Sequence, residues 1–306
     1  LYQAWDALKA ITVRYEILPF IADERKALDP GVPAIHQGGN LSGEIEVYER
    51  GNVEKGFAEA DVVLEQTYRT SCQIHTPMEG YGSVAQWDGA RVTVWHTTQG
   101  AFDEQKQLAT ALGLPLSSVR VICRYMGGGF GSKAELSKYT VLAALLARKT
   151  AQPVKLVLTR EESFLCTGNR PSNTVTLKAG VKKDGTLTAM HLINRGVVGA
   201  FPDWGYAGVP TRVLYVCPNV RVEETEVHIN AGKARAMRAP GFPQGAWVLE
   251  QMMDALAEKI GMDPVELRLK NIATFSQARY TSAALKECLL EGAKVFGWRE
   301  ARSRPP

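Results

Sequence analysis

Residues 124–135, RYMGGGFGSKAE, place four glycines within five positions, interrupted only by Phe130. Such a run loses conformational entropy on folding and adds no side-chain packing, so the fold must need main chain without Cβ atoms there. It follows a β-like run, SSVRVICRYM, and precedes AELSKYTVLAALLARKT, whose wide apolar face is helical. Two explanations stay open for a strand–glycine–helix order. One is a tight turn whose residues take positive φ. The other is a backbone that approaches an anionic ligand closely, its N–H groups free and a helix N-terminus behind them. A P-loop is excluded, because the lysine follows Ser132 and is itself followed by Ala134. GGGFGS also lacks the spacing of a dinucleotide fingerprint.

The rest of the chain interleaves strands, hairpins and helices. VVLEQTYRTS, GSVAQWDG, RVTVWHTTQ, PVKLVLT and RVEETEVHIN read as strands, and NTVTLKAGVKKDGTLTAMHLINRGVVGAF as two strands around an Asp184-Gly185 hairpin turn. DEQKQLATALGL and QGAWVLEQMMDALAEKIG read as helices, the first stopping at Gly113. In MDPVELRLKN, Asp263 is the expected N-cap, Pro264 the first helical residue and Glu266 the capping-box partner. A last helix is expected at 282–296, ending at Gly297, and residues 1–35 read as a short helix, the strand ITVRYEIL and a proline-bounded loop. The fold class expected is α+β (mixed α/β), with a boundary near Asn40.

Composition narrows the function. The 306 residues are 45% hydrophobic and 22% charged, with a formal charge of +4 spread without a basic stripe, so no nucleic-acid partner is expected. The longest apolar run, VLAALLA, is too short for a membrane span. Five dispersed cysteines and five histidines show neither C-x-x-C nor H-x-x-x-H spacing, so the protein side chains are not expected to build a metal cage. The sequence begins without Met inside a helical pattern, so the expectation is either that residues precede Leu1 in the natural polypeptide or that the chain has been trimmed.

Several stretches together carry a resemblance. MGGGFGSK at 126–133 resembles the pterin-binding loop of the molybdenum hydroxylases, the xanthine dehydrogenase and aldehyde oxidase family, usually GGGFGGK. In family order, CQIHTPME at 72–79, TTQG at 97–100, ARAMRAPGFPQG at 234–245 and GMDPVELRLKN at 261–271 resemble its Q-x-H-x-x-M-E, T-Q, FRGFGxPQ and GxDPxExRxxN stretches. The resemblance implies an elongated molybdopterin-binding domain of the xanthine dehydrogenase type. Residues 39–306 would form the first molybdenum-cofactor-binding domain of the large subunit, and 1–38 the C-terminal part of an α/β hammerhead domain.

It also implies roles. Backbone amides of Gly128, Gly129, Phe130 and Gly131 would face the cofactor, joined by Met237, Arg238 and Ala239 of the second loop. Gln99 would be the catalytic glutamine that donates to an oxo ligand of molybdenum, while the metal is held by the pterin dithiolene and by no protein side chain. The cofactor would be molybdopterin, as such or as its cytosine dinucleotide. Pro240 stands where xanthine-type enzymes have a stacking phenylalanine, Ala134 with Glu135 beyond it where they have a glutamate, and Tyr206 near their substrate arginine; Tyr206 and Pro240 are substrate-pocket candidates. His75 and Glu79 match motif positions, with packing and hydrogen bonding the expected roles.

The activity implied is hydroxylation of an electron-poor carbon of a small molecule with water as oxygen source. Electrons would pass to [2Fe–2S] clusters and FAD on partner chains or domains, in a cytoplasmic enzyme. The family's catalytic glutamate, in a G-x-G-E-like segment, has no match here, so a second molybdopterin-domain chain or a missing C-terminal half is expected to complete the site. The alternative is a non-catalytic fragment or scaffold that binds molybdopterin or a phosphate ligand.

Overall fold

The alternation in NTVTLKAGV sends Val175, Leu177, Ala179 and Val181 to one face of a strand, and each is at most 1% exposed. In the computed structural model, which describes residues 2–273 and 282–302, this strand is β7 (Asn173–Val181) of a five-stranded sheet. Its other strands are β1 (Glu46–Arg50), β2 (Val62–Thr70), β8 (Leu187–Val197) and β9 (Asn219–Val227), in the order β1-β9-β8-β7-β2. β7 and β8 form the expected hairpin, with Gly185 at φ +86° in its turn. β8 and β9 pair in parallel, so a crossover joins them; it contains the short helix Val209–Val213.

Helix Phe242–Ile260 lies on this sheet. Its buried residues Val248, Leu249, Met252, Met253, Leu256 and Ala257 recur at helical spacing and meet the inward residues of β7, β8 and β9 in one core. Val53–Ala58 packs against β8: a Cβ on Gly56 would sit 2.5 Å from the Thr188 carbonyl oxygen.

The second sheet has the order β5-β4-β3-β6, from β3 (Gly82–Asp88), β4 (Arg91–His96), β5 (Val119–Ile122) and β6 (Val154–Val157). Helices Ala101–Leu112 and Lys138–Thr150 bury Leu108, Ala109, Ala143, Ala144 and Ala147 in a core with Ala85, Val92, Val94 and Val119. β4 and β5 run parallel, so their C-terminal ends open at the same edge. This pairing positions the site, because Gln99 follows β4 and the glycine run follows β5.

Several expectations need correction. ITVRYEIL forms no strand: residues 2–20 are exposed throughout, and strand composition without a neighbouring ladder does not make a strand. SSVRVICRYM is strand only over Val119–Ile122, and the following helix starts at Lys138 because residues 130–133 are turn and 134–135 a bend. Asp263 caps its helix by accepting from the Val265 and Glu266 N–H groups, without a return bond from Glu266; the complete capping box is Thr159–Glu162, ahead of helix Arg160–Cys166. The helix expected at 282–296 runs Leu285–Phe296 and stops at Gly297 in left-handed conformation, and a further short helix, Trp298–Arg302, follows it. Ile21, Ala27, Val32 and Ile35 pack on Val197, Val227 and Ile229, and Asn40 is buried with hydrogen bonds to Ala27, Pro33 and Ile35.

Candidate cofactor site

Gln99 lies three residues beyond β4 and directly against the glycine run. Its N–H donates to the Lys133 carbonyl at 2.8 Å, and its Oε1 accepts from the N–H groups of Gly131 at 2.8 Å and Lys133 at 3.3 Å. Those two donors assign the orientation of the carboxamide: the oxygen faces the loop and the NH2 faces away. The NH2 takes no partner among the described residues, and Gln99 is exposed.

The glycines serve close approach. A Cβ on Gly131, whose φ is +112°, would lie 1.9 Å from the Ala236 carbonyl oxygen, and one on Gly129 would lie 2.5 Å from Gln99 Oε1. The 234–245 stretch therefore seats on the glycine run, and the Arg238 N–H donates to the Phe130 carbonyl at 2.8 Å to join them. Within the run, the Gly127 N–H donates to Glu79, and those of Ser132 and Ala134 donate to Gly129 and Gly131. The Gly131 amide expected to face a ligand is instead taken by Gln99. The N–H groups of Gly128, Gly129 and Phe130 have no partner among the described residues, nor do those of Met237 and Ala239.

Backbone strain gathers at the same place. Among the described residues, four non-glycine residues have positive φ, and three of them lie here: Thr76 at +46°, Phe130 at +55° and Ala239 at +57°. Such conformations cost about 1 kcal/mol or more each and persist only where surroundings impose them.

The surroundings are side chains that sequence reasoning left without a function or missed. His75 Nε2 donates to the Ala236 carbonyl at 2.7 Å, which sets the tautomer, and burial pulls the imidazole pKa below its ordinary value. The Arg170 guanidinium, 8% exposed, donates to the Arg238 carbonyl at 2.8 Å and to Gln244 Oε1 at 3.0 Å. Arg235 donates to the Ser132 carbonyl at 2.9 Å. His75 was legible from its motif; Arg170, in TGNRPSN, had no local signal.

The second loop borders a small cavity where Met237 and Pro240 meet Tyr206, Trp204 and Arg170. The two pocket candidates, Tyr206 and Pro240, are thus brought together. Burial, helped by Glu224 and Glu226, raises the Tyr206 pKa and keeps the phenol neutral. Glu135 is paired with Lys233 at 3.1 Å and faces Arg235 at 3.9 Å. Arg238 is exposed, and its guanidinium has no partner among the described residues. Free N–H groups, a fixed amide NH2 and an unpaired guanidinium make a donor set for an anionic, oxygen-rich ligand. Residues 35–272 match the family of molybdopterin cofactor-binding domains.

The chain belongs to that family. It is 34% identical over 310 residues to the putative xanthine dehydrogenase molybdenum-binding subunit of Escherichia coli K12, an alignment covering 97% of this chain and 41% of that protein. It is 37% identical over 272 residues to the nicotinate dehydrogenase large molybdopterin subunit of Eubacterium barkeri, covering 87% and 64%. The fold superposes on the aldehyde oxidoreductase of Desulfovibrio gigas with TM-score 0.87 and 25% identity, covering 100% of this chain and 35% of that one. Quinoline 2-oxidoreductase of Pseudomonas putida 86 shares the fold, with TM-score 0.89, 24% identity and coverage of 98% and 41%. The chain thus spans about two-fifths of the Escherichia coli relative.

Proposed function

We propose that the chain supplies one wall of the molybdenum-cofactor site in the catalytic subunit of a xanthine dehydrogenase/aldehyde oxidase-type oxidoreductase. The observation that carries this is the Gln99 carboxamide: two loop amides hold its oxygen, so only its NH2 is left to donate outward. Beside it, the free N–H groups of Gly128, Gly129 and Phe130 suit the anionic, oxygen-rich end of molybdopterin. The residues present therefore fit that cofactor.

Gln99 would orient the reacting end through its NH2 without adding charge. Arg238 would offset the cofactor's negative charge, with the Met237 and Ala239 N–H groups as further donors, and Phe130 would pack against it. Tyr206 and Pro240 would wall the substrate pocket. When bound, the cofactor supplies two-electron oxidation of an electron-poor carbon, with water as the oxygen source.

On this proposal residues 39–306 are the first cofactor-binding domain and 1–38 the tail of a hammerhead domain, in keeping with a family match that starts at residue 35. The matched region is 41% of one relative and 64% of another, which leaves length for a second cofactor-binding half that would bring the catalytic glutamate. Iron–sulfur and FAD partners, a cytosine dinucleotide form of the pterin and a cytoplasmic location complete the proposal. Among the described residues no helix is long and apolar enough to cross a membrane.

Metal and pterin analysis of the native assembly tests it. Stoichiometric molybdenum is expected, with much of it lost in Gln99→Ala. A native assembly that binds phosphate esters but no molybdenum would favour the scaffold alternative and overturn this function.

A further inference from the structure

Two consecutive residues of the glycine run point away from the donor face and are almost wholly buried: Ser132 at 0% and Lys133 at 1% exposure. A buried ammonium needs a counter-charge, because desolvation disfavours it. Lys133 Nζ donates to Glu79 Oε2 at 2.6 Å and lies 5.2 Å from the centre of the Tyr81 ring. Ser132 Oγ lies 2.6 Å from the Tyr81 hydroxyl and donates to the Gly129 carbonyl at 2.7 Å. Glu79 Oε2 also accepts from the Gly127 N–H at 2.9 Å. One carboxylate therefore holds both ends of the run, the amide of residue 127 and the ammonium of residue 133. Although partial burial works against it, the bonds from Lys133 and Gly127 hold its pKa below the usual carboxylate range.

We infer that Glu79 is a positioning residue, the anchor of a latch that fixes residues 127–133 so that the Gly128, Gly129 and Phe130 N–H groups converge on the cofactor. The inference rests on the cofactor-site proposal and deepens it. Its energetic signature is asymmetry. Lys133 is shut away from water, whereas the Glu79 side chain is 33% exposed. Removing the carboxylate strands a buried charge, while removing the ammonium leaves a carboxylate that water and Gly127 can still satisfy.

The test is hydrogen–deuterium exchange on the native, full-length protein, with molybdenum content as a second readout. In Glu79→Gln, amides 127–133 are expected to exchange about tenfold faster while β7 and β8 amides keep their rates. Molybdenum content is expected to fall with them. Adding Lys133→Met removes the stranded charge, so global stability should recover, but exchange at 127–133 should stay fast and molybdenum content low, since the run is no longer fastened at either end. Lys133→Met alone should also quicken exchange at 127–133, by less than Glu79→Gln, because the Gly127 N–H keeps its bond to Glu79.

Unchanged loop exchange in Glu79→Gln, loosening spread evenly through the core, or wild-type loop exchange in the double variant would each overturn the latch. If Glu79→Gln does not fold, the double variant decides by itself: fast exchange confined to 127–133 supports the latch, and wild-type exchange there refutes it. A wild-type assembly without molybdenum would instead overturn the function, and the exchange data would still judge the latch.

Discussion

The two loops that meet at Gly131 and Ala236 are held in opposite ways. The glycine run is fastened by charge and by the absence of side chains, through the buried Lys133–Glu79 pair and the contact of Gly131 with Ala236. The 234–241 loop is fastened through its carbonyls, with Arg170 bonded to Arg238 and His75 to Ala236. The first arrangement fixes where N–H groups point, and the second leaves the Met237 and Ala239 N–H groups free by gripping the other side of the backbone. A loop that must present amide donors is best held by its oxygens or by side chains behind it.

The largest effect expected falls where the loops touch. Gly131→Ala combines a backbone clash with positive φ and should destabilise by on the order of 3–5 kcal/mol, read from denaturant midpoints. A loss below 1 kcal/mol would mean that the loops are not in direct contact. Next comes the second loop alone. Arg170→Met leaves the Arg238 carbonyl and Gln244 Oε1 without their donor, for a loss of about 2–3 kcal/mol, with exchange rising at 236–241 and not at 127–133. Equal loosening of both loops would show that they are one unit. Ser132→Ala removes the Tyr81 contact and should cost about 1 kcal/mol, confined to the glycine run.

The smallest effect separates the loops by pH. His75 and Glu79 both have pKa values lowered by folding, so each contributes stability that is intact at high pH and lost on acidification. For His75 the loss begins as pH falls below 6.5 and runs through its depressed value; for Glu79 it begins only below 4.5. Amide shifts followed by NMR should therefore move first at 236 and later at 127 as pH is lowered. The reverse order would contradict the assigned anchors.

How much of this was legible follows from the range of the interactions involved. The glycine run, the Asp184-Gly185 hairpin and the helix stops at Gly113 and Gly297 are set by neighbouring residues, and local chemistry identified them. β1 and helix Val53–Ala58 depend on partners more than a hundred residues away, β9 and β8, and no local pattern marked them. Gln99 was found through its resemblance to a motif, yet the clamp on its oxygen needed coordinates. Arg170 and Lys133 are buried cations, a state composition argues against; Gln244 with the second-loop carbonyls makes the first position tolerable, and Glu79 with the Tyr81 ring the second.

Ile11, Val13, Tyr15 and Ile17 stand open to water with period two, separated by residues that include Arg14 and Glu16. This is the pattern of a strand awaiting a ladder, and naked ladders recruit whatever backbone comes near. Concentrated preparations of the chain by itself would then thicken into sheet-rich aggregates seeded from this tract, and masking it would be the first step toward a well-behaved sample.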